Sequence, residues 1–119
     1  MLLRGGGESD GSTVDLKGVT DKSVDSGILH GSALISFAEA VLGQDDAALA
    51  SARNCVLKNL GPAGLSDTAA IVATFQQMVR IADGAGIPLD APVADMTVDI
   101  RAEIGLNEFG SARNTLQED

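Results

Sequence analysis

From Leu34 onward, apolar residues recur three and four positions apart, the spacing that places side chains on one face of a helix. Leu34, Ile35, Phe37, Ala38, Val41 and Leu42 make the first such run, and Gly43 ends it. Asp45 or Asp46 then caps a second helix with Leu49, Ala52, Val56, Leu57 and Leu60 on its apolar side. Gly61-Pro62-Ala63-Gly64 is expected to break that helix. A third helix starts at Ser66, a suitable N-cap, with Asp67 in the first turn where negative charge favours the helix dipole. Val72, Phe75, Val79 and Ala82 form its stripe, widened by Ile71 and Met78; Gly84 and Gly86 close it and Pro88 prevents a restart.

Past the connector Leu89-Asp90-Ala91-Pro92, residues 93–104 predict a shorter helix with Val93, Met96, Ile100 and Ile104 inward, stopped by Gly105. One further turn is expected between Phe109 and Asn114. Residues 1–27 show no such period. Gly5, Gly6, Gly7, Gly11 and Gly18 stand among Ser, Thr and Asp, the pattern of a flexible segment or of one that orders against a partner subunit. Val14, Leu16 and Val19 allow a short extended piece within it. The chain is thus expected to be an all-α helical bundle over 28–119 behind a flexible, glycine-rich segment over 1–27.

Composition supports one small all-α domain. The 119 residues include only three aromatic ones, Phe37, Phe75 and Phe109, so the core must come from Ala, Val, Ile, Leu and Met. The formal net charge of −9 leaves no positive stripe to displace counterions from phosphates, which argues against nucleic acid and against an anionic membrane surface. No apolar run reaches membrane-spanning length, and the single cysteine cannot form an internal disulfide; both fit a cytoplasmic protein.

Candidate chemistry is sparse. Cys55 lies mid-helix beside Ala52 and Val56, away from a helix N-terminus and without a resolving thiol, so it reads as a small buried hydrophobe. His30 is the only histidine, just ahead of the first helix, and one histidine cannot build a zinc site unaided. Arg80 stands three residues before Asp83 and one turn after Gln76 and Gln77, on a polar strip opposite the Phe75 stripe. Such a strip suits solvent, a subunit interface or a bound carboxylate. Asp45, Asp46, Asp95 and Asp99 lack calcium-loop spacing, and Gly5-Gly6-Gly7 lacks the Lys-Ser/Thr of a phosphate loop. No metal or cofactor site is expected.

Four segments, taken in order, carry a resemblance: Phe37-Ala38-Glu39-Ala40-Val41, Gly64-Leu65-Ser66-Asp67, Val72-Ala73-Thr74-Phe75, and Val79-Arg80-Ile81-Ala82-Asp83-Gly84-Ala85-Gly86-Ile87-Pro88-Leu89-Asp90. Together they resemble the C-terminal helices of the carboxymuconolactone decarboxylase and alkylhydroperoxidase D-like superfamily, its peroxidase-related branch in particular. The resemblance covers about residues 31–92. Catalytic members carry a Cys-x-x-Cys pair with a nearby His upstream of this region, where the present chain has only its glycine-rich segment. Neither Cys55 nor His30 falls on that motif, so the resemblance transfers no catalytic residue.

What the resemblance does imply is a divergent or truncated, non-catalytic helical module that forms homo-oligomers or binds a small ligand. The alternative it leaves open is non-thiol acid/base chemistry, with Arg80 holding a substrate carboxylate and His30 or Glu39 moving the proton. A further alternative is a partner chain that supplies the missing helices.

Overall fold

The computed structural model describes residue 11 and residues 13–116, and every described element is helical. The all-α expectation is met. The chain divides into two compact units, Met1–Ala73 and Thr74–Asp119.

In the first unit the chain enters through a 3-10 turn, Leu16–Val19, and then forms helix α1, Gly31–Leu42. Helix α1 starts three residues before Leu34, where the apolar period begins. His30 precedes it in the left-handed conformation (φ 58°) and its carbonyl accepts from the N–H groups of Ala33 and Leu34. Gly43 ends α1, its N–H donating to the Glu39 and Ala40 carbonyls. Helix α2, Asp46–Ala85, follows at once, and Asp45 caps it as expected: Oδ1 accepts from Ala47 N at 2.9 Å and Ala48 N at 3.0 Å. Phe37 and Val56 are 3% and 0% exposed and, with Leu16, are the buried hydrophobic residues of the described chain.

The expected break between the second and third helices is narrower than the sequence suggested. Only Gly61 leaves the helical conformation, at φ 71°, ψ −179°, a region that side chains exclude. Pro62 then takes the first helical position, where its missing N–H is no loss and its fixed φ suits a helix start. The second arm of α2 therefore begins four residues before Ser66, which lies inside the helix and is not its cap. Gly64 is helical too; a Cβ there would come within 2.5 Å of the Leu60 Cβ, so its role is clearance rather than termination.

Helix α2 continues into the second unit and ends as the glycines predict. Gly86 is left-handed (φ 65°), Ile87 N donates to the Ala82 carbonyl at 2.9 Å and Gly86 N to that of Asp83 at 3.3 Å, a Schellman closure. The helix expected over 93–104 is two short ones, α3 (Ala91–Met96) and α4 (Val98–Glu103). Thr97 separates them; its hydroxyl donates back to the Val93 carbonyl at 2.6 Å, the local bond by which threonine competes with a helix. Arg101 clips the pair together, its Nη donating to the Ala94 carbonyl at 2.7 Å. Gly105 (φ 70°) ends α4. Two 3-10 turns, Leu106–Glu108 and Gly110–Ala112, lead into α5, Arg113–Leu116, which Thr115 ties to the connector by accepting from Leu89 N at 2.9 Å.

Several apolar positions do not go inward. Ile71, Phe75 and Met78 are 59%, 62% and 60% exposed; Val93 and Met96 are also exposed, while Ile100 and Ile104 are half-buried. The helical period was right, but a period names a face and not what covers it.

Candidate functional site

The sequence pattern places residues 13–27 in a loose segment. In the structure they fold back on themselves in front of α1. Asp15 caps the 3-10 turn by accepting from Lys17 N at 2.9 Å, and Asp15 N donates to the Ser26 carbonyl at 3.0 Å. The extended piece expected at Val14–Val19 is this turn, which buries Leu16. Three glycines permit the closure: a Cβ at Gly18 would approach Ser26 to 2.9 Å, one at Gly31 would overlap Ser26 Oγ, and one at Gly27 (φ 73°) would overlap the Thr13 carbonyl. The remaining residues of the 1–27 segment, 1–10 and 12, lie outside the described residues.

Between this loop and α1 lies a cavity of about 730 Å³, open to solvent on one side. Its walls include the apolar side chains of Ile28 and Ile35 and the polar ones of Ser26, His30 and Ser36. Ser26 is 5% exposed, and its Oγ accepts from Ile28 N at 3.4 Å. The charged groups on the wall are engaged. Lys22 Nζ lies 2.6 Å from Glu39 Oε2, and Asp25 Oδ1 accepts from Gly27 N at 3.0 Å. Beside the cavity, the Ser23 hydroxyl and then its N–H donate to Asp21 and hold that carboxyl below the ordinary aspartate range.

A second, apolar groove of about 430 Å³ runs between α1 and the stretch of α2 that spans the Gly61 break. Leu34, Ile35 and Ala38 form one side and Leu60, Gly64 and Ile71 the other.

Of the three residues singled out in the sequence, His30 lines the larger cavity, while Glu39 is bound to Lys22 outside its lining. Arg80 is exposed, belongs to the second unit and lines neither cavity. Cys55 corrects the sequence reading. It is exposed, because it sits about 100° around the helix from its fully buried neighbour Val56, and Asn59 Nδ2 donates to its Sγ at 3.6 Å. Ser26 and Lys22 escaped notice in the sequence. The signal available was the placement of Gly18, Gly27 and Gly31 around a serine, which looks like flexibility until the close approaches are seen. Among the described residues no three His, Cys, Asp or Glu side chains converge as metal ligands, and no helix is long and apolar enough to cross a membrane.

No protein-family model, characterised protein or solved structure matches the chain.

Proposed function

We propose that the chain is a non-catalytic helical module of the alkylhydroperoxidase D-like type, which works by associating with further copies of itself. The observation that carries this reading is the apolar stripe of α2: Ile71, Phe75 and Met78 keep more than half of their surface in water. Burying such side chains is worth roughly 1.5–3 kcal/mol each, which favours a partner that covers them. A buried core limited to Leu16, Phe37 and Val56 among the described residues points the same way, since small domains commonly gain their missing burial by oligomerisation.

The non-catalytic part of the reading draws on Glu39 being paired with Lys22 outside the cavity that His30 lines, and on the lack of a second thiol in the chain. Reductant-coupled hydroperoxide turnover by the wild type and Cys55→Ser tests it. Neither protein is expected to turn over substrate, and turnover that depends on Cys55 contradicts it. The association itself is tested by light scattering of the wild type and Phe75→Glu. The wild type is expected at a multiple of 12.1 kDa and the variant at the single-chain mass with unchanged helicity. A wild type that scatters as one chain overturns the reading.

A further inference from the structure

We propose that the cavity between the 22–29 loop and α1 is a binding site for a small organic molecule without negative charge that carries an oxygen acceptor on an apolar body. Its volume of about 730 Å³ falls in the range of small-molecule pockets. The wall is built rather than incidental, because Gly18, Gly27 and Gly31 each stand where a side chain would collide with Ser26 or Thr13.

Charge decides the class of ligand. The cation on the wall, Lys22, is matched by Glu39 at 2.6 Å, and Asp25 is the one acidic residue of the lining. With Lys22 paired to Glu39 and the Asp25 carboxylate holding a backbone N–H, an anion would lose hydration with no free cation to replace it and would face a like charge. Hydrogen bonding decides its head group. The buried Ser26 hydroxyl accepts from Ile28 N, and no described residue takes its proton, so it presents a donor to the cavity. Ile28 and Ile35 supply the apolar surface for the rest of the molecule, and the His30 ring stands on the same wall.

A matched pair, 1-hexanol and hexanoate, tests this by amide chemical-shift mapping on the full chain. The expected result is saturable shifts at Gly27, Ile28, Gly31 and Ser32 with 1-hexanol, and markedly weaker effects with hexanoate. Ser26→Ala is expected to weaken 1-hexanol about fivefold, the worth of one hydrogen bond, with the helical spectrum retained. Ile35→Ala, on the apolar wall, provides a second variant and is expected to weaken it as well. Binding of hexanoate at least as tight as the alcohol overturns the proposal. So do shifts confined to Gly64 and Ile71 in the apolar groove, or no saturable shift at all.

Discussion

Asp21 and Ser23 show how much one local bond can set. The hydroxyl and the N–H of Ser23 both favour the ionised carboxylate, so Asp21 titrates below its unfolded value. A depressed folded pKa contributes stability above the unfolded pKa, and that contribution disappears as pH falls through the folded value. Carboxyl-detected titration is therefore expected to move the Asp21 midpoint upward in Ser23→Ala, which removes the hydroxyl bond and keeps the N–H one; an unmoved midpoint would show that the hydroxyl bond does not form in solution. Gly31 offers a sterner test at this scale. Gly31→Ala forces a methyl onto Ser26 Oγ and is expected to cost about 1–3 kcal/mol in urea unfolding. Residue-level chemistry was partly legible in the sequence. Asp45 as a cap and Gly86 as a stop follow from local rules, whereas the exposure of Cys55 and burial of Ser26 depend on which way an element faces.

The elements rest on few, identifiable controls. Gly61 alone divides α2 into two arms, because its φ of 71° with ψ near 180° is closed to residues with a Cβ. Gly61→Ala is expected to lower stability by about 1–3 kcal/mol and to change the helix content, as the break must move or straighten. Asp45→Ala removes the acceptor shared by Ala47 and Ala48 and is expected to cost about 1 kcal/mol in chemical denaturation, without a change in fold. Helix existence was readable from the 3.6-residue period throughout 31–85. Boundaries were less so: Gly-Pro-Ala-Gly looked like a loop, yet proline at a first helical position and glycine beside Leu60 are compatible with helix. The failure at Thr97 has a similar cause, since a side chain bonding back to a carbonyl four residues earlier leaves no mark in an apolar pattern.

At the scale of the molecule, Glu39 is paired with Lys22 outside the cavity that His30 lines, while the apolar stripe of α2 keeps its exposure. The proposed association rests on these two facts. It also explains why the sequence reads well as helices and poorly as a site: a stripe is visible in one dimension, but its cover is another surface. Folding that is coupled to association must depend on protein concentration, because the unfolded chains are separate. The most direct measurement is the thermal midpoint over a hundredfold range of protein concentration. The account predicts a midpoint that rises with concentration in the wild type and stays constant in Phe75→Glu. A wild-type midpoint that does not change with concentration would contradict it.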